Sequence, residues 1–152
     1  MAKRETVTIT NMCMICDRDK ILVQERNKKT WPGLTFPGGH VEINESIVES
    51  TIREVKEETG LTVRNLKLCG IAHWTPLLGG RYLVFCYKTD DFSGDLRDSS
   101  EGRVFWIPKK DLKKYHLSQD LEEIFTVMDS SELSEFYSLR EDDDHEILRK
   151  LI

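Results

Sequence analysis

Three glutamates, Glu54, Glu57 and Glu58, stand at i, i+3 and i+4 within the run Ser46 to Thr59. On a helix, residues at that spacing gather on one stripe, where like charges repel by about 0.2–0.5 kcal/mol per pair. A hard divalent cation with oxygen ligands removes that cost. Magnesium in particular takes a few carboxylates, several waters and the oxygens of a phosphate, so the spacing reads as a candidate magnesium site for phosphate chemistry. An arbitrary E-x-x-E-E is more often a solvated helix face, and the surrounding residues must decide between the two.

The element that would position these glutamates is legible. Apolar periodicity predicts a helix over Ser46–Thr59, stopped by Gly60, with Val48, Ile52, Val55 and Thr59 in one stripe facing the core. At roughly 100° per residue the stripe of glutamates is centred about 130° or more around the helix from the apolar one. Strand patterns occupy Val7–Ile15, Ile21–Glu25, Leu66–Trp74, Arg81–Thr89 and Arg103–Ile107, with a hairpin turn at Gly79-Gly80. A second helix is expected over Gln119–Met128. In the tail, Ser134–Arg140 and Glu146–Ile152 read as a hairpin or a short helix, the hairpin favoured. The acidic run Glu141-Asp142-Asp143-Asp144 between them reads as a solvated turn, because consecutive residues do not converge on one point. These elements predict an α/β fold, a mixed sheet between helices.

At 152 residues, 39% hydrophobic and 32% charged, the chain suits a single domain spanning 1–152. No apolar run reaches membrane-spanning length and the start MAKRET lacks an apolar leader stretch, so no membrane association and a cytoplasmic location are expected. A formal charge of −5 argues against a stable nucleic-acid complex. It is compatible with a small phosphate compound if a cation inverts the local charge. Cys13 and Cys16 form a C-x-x-C, but on a strand residues three apart point to opposite faces. With Cys69 and Cys86 in apolar runs of their own, buried free thiols are expected.

Gly39, Glu45, Arg53, Glu54, Val55, Glu57, Glu58, Gly60 and Leu61 fill every fixed position of the pattern G-x5-E-x7-R-E-U-x-E-E-x-G-U, U being aliphatic. The chain therefore resembles the Nudix hydrolases, and its flanks Val23-Gln24-Glu25-Arg26 and Trp31 through Phe36-Pro37-Gly38 resemble the MutT-like branch. The resemblance implies a Nudix α/β/α sandwich with a central mixed sheet. It further implies magnesium, with manganese as the alternative, held by Glu54, Glu57, Glu58 and the Gly38 carbonyl. A backbone that approaches a metal closely has no room for Cβ, which gives Gly38 and Gly39 a reason. Arg53 would pair with a glutamate of the pattern, Glu45 first, and hold the loop against the helix. Glu101 would be a metal ligand or general base; the competing reading is an exposed loop carboxylate. Arg26 would contact phosphate, or be a solvated strand-end arginine, whereas Lys28 and Lys29 read as loop solvation.

The reaction implied is attack of a metal-activated water on phosphorus, with no Ser, Cys or His nucleophile. Phe36 and Gly39 would border the nucleotide, and Gln119 or Asp120 would hydrogen-bond a purine, Asp120 being equally placed to cap the next helix. The leading substrate is an oxidised purine nucleoside triphosphate such as 8-oxo-dGTP, cut to monophosphate and pyrophosphate in nucleotide-pool sanitation ahead of DNA repair. Alternatives are another (d)NTP, ADP-ribose, for which Pro76 keeps the option open, a 5′-triphosphorylated RNA end, or a non-catalytic nucleotide sensor. Monomer and homodimer are both compatible with the sequence.

Overall fold

The structure is a computed structural model that describes residues 2–77, 79–142 and 144–152. In chain order its elements are β1 (Val7–Asp17), β2 (Lys20–Arg26), β3 (Leu34–Thr35), α1 (Ile47–Thr59), β4 (Thr62–Arg64), β5 (Lys67–Pro76), β6 (Arg81–Thr89), β7 (Asp91–Ser93), β8 (Gly102–Pro108), a 3-10 turn over Lys109–Lys114, α2 (Leu121–Asp129), β9 (Glu135–Arg140) and β10 (Glu146–Leu151). The expected tail hairpin is β9–β10, and Asp143 of its acidic turn lies outside the described residues. The very short β3, β4 and β7 are not expected from sequence, since two or three residues carry no readable alternation.

The main sheet runs β10-β9-β5-β6-β1-β2-β3, with β8 also paired to β2. β1 is parallel to β6 and β5 to β9, while the remaining pairs are antiparallel, so the sheet is mixed. Strand alternation separates two cores. Met14, Ile21 and Val23 face one side, where α2 seals them with Leu121, Ile124, Val127 and Met128. Cys13, Ile15 and Leu22 face the other, against Val55 of α1 and Leu61 and Val63. The result is the expected three-layer α/β/α arrangement. All four cysteines are free. Among the described residues no helix is long and apolar enough to cross a membrane.

The two strands at the centre of the sheet diverge. β1 pairs with β2 only at Cys16↔Ile21 and Asp17↔Lys20, beside their turn. Further along, β1 instead takes the segment 37–41: Asn11 and Cys13 donate their N–H groups to the Gly39 and Pro37 carbonyls at 2.9 Å each, and Val41 donates to the Ile9 carbonyl. A cleft opens where the sheet parts.

α1 is capped as its sequence requires. The Ser46 hydroxyl accepts the Glu49 N–H, and Gly60 closes the helix at φ +80. Its inward face differs from the apolar stripe, however. Val48 is 41% exposed, and the buried residues are Ser50, Thr51, Val55, Glu58 and Thr59, a face rotated by roughly 60° at 100° per residue. The helix turns a polar flank inward because segment 37–41 and Asn11 supply hydrogen-bond partners there.

Asp120 also departs from expectation. It starts α2 at φ +64 and makes no side-chain cap. Its buried carboxylate is instead paired with Arg140 of β9 and Arg149 of β10, and the Arg140 guanidinium lies 5.5 Å from the Trp74 ring centroid. Breaking a buried pair from one side strands the other charge. Arg140→Met is expected to lower stability to urea by about 3 kcal/mol, the low end for such a cut because Arg149 still reaches Asp120. Adding Asp120→Asn should recover part of the loss, and an unchanged urea midpoint in the single variant would show that the pair does not anchor the hairpin.

Candidate active site

The cleft is a cavity of about 490 Å³, and Glu54, Glu57, Glu58, Glu101, Arg26, Lys28 and Arg53 all line it. Its floor is built from Gly38 and Gly39. A Cβ on Gly38 would come within 2.2 Å of the Asn11 carbonyl oxygen, and one on Gly39 within 2.4 Å of the Glu54 carboxyl carbon. Gly38 is therefore required by close approach to β1, and Gly39 leaves room for the Glu54 carboxylate, reasons distinct from the metal proximity expected of them. Asn11, buried in β1 between Thr10 and Met12, ties the pieces together. Its amide donates to Ser50 Oγ at 2.9 Å and its side-chain oxygen receives the Gly39 N–H at 3.4 Å.

Arg53 organises the carboxylates. Its Nε and Nη2 reach both oxygens of Glu45 at 2.8 and 3.0 Å, its Nη1 reaches Glu54 at 2.9 Å and Glu57 at 3.3 Å, and Nη2 also donates to the His40 carbonyl at 3.2 Å. These bonds hold the Glu45 carboxyl down at about 2. The expected Arg53–Glu45 pair is present, and the same guanidinium also offsets repulsion between Glu54 and Glu57. Helix spacing alone leaves that task to a cation.

Glu58 lies deepest, 7% exposed, with the Gly38 N–H donating to its Oε2 at 2.9 Å. Burial pushes its carboxyl up to about 8; the Gly38 bond and Arg26 act the other way, and Glu54 and Glu101 push it further up. Burial also raises the Glu54 carboxyl, against the pull of Arg53. Glu57 is the outermost, its side chain 59% exposed. Glu101 pairs with Lys28 at 2.5 Å; Lys28 is an exposed loop residue, as expected, that also borders the cavity.

The donor set is all oxygen: four carboxylates and the backbone carbonyl of Gly38, which lines the same cavity and whose N–H donates to Glu58. Such a set fits a hard divalent ion, and the buried Glu58, helped only in part by the Gly38 N–H and Arg26, gains from further positive charge when ionised. Among the described residues no trio of Asp, Glu, His or Cys is already drawn together as a ligand cluster. Arg53 takes oxygens of Glu54 and Glu57, and Lys28 takes one of Glu101.

The opposite wall is aromatic. Trp74 and Tyr82, cross-strand partners on β5 and β6, stack at 4.5 Å and 10°, and Trp31, at φ +56, tilts over both at 5.1 and 6.1 Å. Phe36 is buried against Phe125 at 6.4 Å and borders the same cavity, as does Gln119. Asp120 does not line the cavity, its carboxylate being held by the two arginines, so the base contact expected of it is withdrawn. Sequence reasoning misses Asn11, Lys28, Trp31, Trp74 and Tyr82 as cavity residues. A polar Asn within a strand is the one signal available for them; the aromatic wall depends on a strand register that the sequence does not carry.

A family model described as NUDIX domain matches residues 7–128. An uncharacterised Nudix hydrolase of Bacillus subtilis, YvcI, is 30% identical over 110 residues, which are 69% of this chain and 68% of that protein. The ADP-ribose pyrophosphatase of Methanocaldococcus jannaschii is 41% identical over 98 residues, 60% of this chain and 57% of that one. The solved structure of the mutator MutT protein from Bacillus halodurans matches with a TM-score of 0.81 at 27% identity, covering 95% of this chain and 97% of that chain.

Glu58 supplies a pH signature. A carboxyl whose pKa is raised by folding costs nothing while protonated, and its stabilising share is lost as pH rises from the ordinary carboxyl range through about 8. In protein stripped of metal with a chelator, Glu58→Gln should therefore melt at a higher temperature than the parent at pH 9 and at nearly the same temperature at pH 5. Equal melting at pH 9 would show that the buried carboxylate is already compensated.

Proposed function

This chain belongs to the Nudix family and is a pyrophosphohydrolase of nucleoside diphosphate derivatives, and on that premise we propose that it converts an oxidised purine nucleoside triphosphate, such as 8-oxo-dGTP, to the monophosphate and pyrophosphate. The observation that carries the reading is one cavity lined by the carboxylates of Glu42, Glu54, Glu57, Glu58 and Glu101, by the cations Arg26, Lys28 and Arg53, and by the stacked Trp74–Tyr82 pair. Nudix hydrolases use divalent metal ions, and we take the ion here to be Mg2+, with Mn2+ as the alternative. Glu54, Glu57, Glu58, Glu101 and the Gly38 carbonyl would hold it. The chemistry such an ion supplies when bound is neutralisation of phosphate charge and a more acidic water.

The chain's own residues do the rest. Arg26 and Lys28 donate to phosphate oxygens and orient the diphosphate toward the carboxylates. A carboxylate of the set takes the proton of the attacking water, so no protein nucleophile is required. Arg53 keeps Glu54 and Glu57 on the cavity side. At the far end the planar Trp74–Tyr82 pair offers a face for a purine, with Phe36 and Trp31 beside it, and Gln119 lies where a base edge would be read. The support from comparison is the full-length structural likeness to the Bacillus halodurans MutT protein. A second reading, ADP-ribose as substrate, is favoured by the Methanocaldococcus jannaschii relative, which bears that activity in its name.

A panel of 8-oxo-dGTP, dGTP and ADP-ribose with Mg2+ separates the two. The proposal expects 8-oxo-dGTP to be preferred in kcat/KM by about 10–100-fold, the range that a few contacts can provide, with pyrophosphate released. Preference for ADP-ribose, with AMP as product, would overturn the substrate reading. Glu57→Gln is expected to cut turnover by orders of magnitude with the circular dichroism spectrum intact, and near-parental turnover would reject its role.

A further inference from the structure

Gln24 sits on β2, 3% exposed, and its Nε2 is, among the described residues, the buried side-chain polar atom with no hydrogen-bond partner. An amide donor left unsatisfied in the interior costs about 1–3 kcal/mol. A protein keeps such a group where something outside the chain completes it. The Gln24 side chain lines the cavity, so what completes it enters there.

Its position on the strand narrows what that ligand atom is. Gln24 and Arg26 are two residues apart on β2, so their side chains project from the same face, and both line the same cavity. Leu22, two residues before Gln24 on that face, packs in one core with Val55 of α1, the helix that carries Glu54, Glu57 and Glu58. Gln24 thus projects to the carboxylate end of the cavity, beside Arg26. An N–H donor at that end meets an oxygen of a phosphate chain rather than the edge of a base. Phosphate oxygens are acceptors only, and a bond from a neutral amide to an ionised oxygen is of the stronger, charge-assisted kind.

We propose that Gln24 is a substrate-binding residue whose Nε2–H donates to an anionic oxygen of the substrate's phosphate chain, next to Arg26. The inference rests on the hydrolase reading and deepens it, assigning the phosphate grip to a neutral donor as well as to Arg26 and Lys28. It predicts opposite signs for stability and binding. Removing an unsatisfied buried donor favours the free protein, while losing the ligand contact weakens the complex.

The test uses Gln24→Leu and Gln24→Met in the full chain, with inorganic pyrophosphate plus Mg2+ as the binding probe and 8-oxo-dGTP as substrate. Both variants should melt at or above the parental temperature without ligand, bind pyrophosphate about tenfold or more weakly, and raise KM by a similar factor with kcat changed much less. Gln24→Glu, which replaces the donor by an acceptor, should bind pyrophosphate worse than either. Parental pyrophosphate affinity in Gln24→Leu and Gln24→Met would overturn the assignment. So would a lower melting temperature in both, since it would mean that the amide is already satisfied within the fold. A parent that binds pyrophosphate through Gln24 yet cleaves no nucleotide would sink the hydrolase reading and leave this inference standing.

Discussion

Arg53 reaches three carboxylates and a backbone carbonyl with one planar guanidinium, and the rest of the site is arranged around that fork. A lysine could not do this, since a single ammonium lacks the spread of fixed donors that lets one group span Glu45 on one side and Glu54 and Glu57 on the other. The Glu45 arm fastens the loop before α1 to the helix. The other arm offsets repulsion that would splay two glutamates apart, while leaving them on the cavity side. Glu58, beyond the reach of the fork, depends instead on the Gly38 N–H. Its raised pKa follows from burial first, which that donor and Arg26 offset only in part.

The cavity exists because the sheet parts. β1 and β2 share two residue pairs and then separate, and the glycine segment occupies the space on the β1 side. Only glycine at 38 can lie that close to the Asn11 carbonyl, and Gly39 leaves the adjoining space to the Glu54 carboxylate, so the segment that lines β1 also borders the helix carboxylates. On the far side, the C-terminal hairpin reaches the site indirectly. Arg140 binds Asp120 at the start of α2 and lies over Trp74, which fixes one edge of the aromatic wall. The hairpin lies beyond the residues matched by the family model.

Much of this is legible in the chain. The helix from Ser46 to Gly60 and the five long strands follow from periodicity and from capping residues, the tail hairpin is the favoured of two readings, and the pattern Gly39 to Leu61 places the carboxylates. What escapes has physical causes. Apolar period alone puts Val48 in the core, whereas the polar flank that actually turns inward is chosen by partners on segment 37–41. At Asp120 the sequence shows a carboxylate suited to a base contact or a cap, but not the arginines that arrive from residues 140 and 149. Trp74 and Tyr82 meet only through the β5–β6 register, and Lys28 joins the site only because Glu101 faces it.

A divalent cation lying among Glu54, Glu57 and Glu58, where Arg53 and Gly38 hold the carboxylates, is the central claim. Anomalous diffraction from crystals soaked in Mn2+ with a non-hydrolysable nucleotide tests it directly. The expected result is a peak within coordination distance of at least two of these three carboxylates, with phosphate oxygens completing the shell. A peak elsewhere, or nucleotide bound with no ion beside these glutamates, would contradict it.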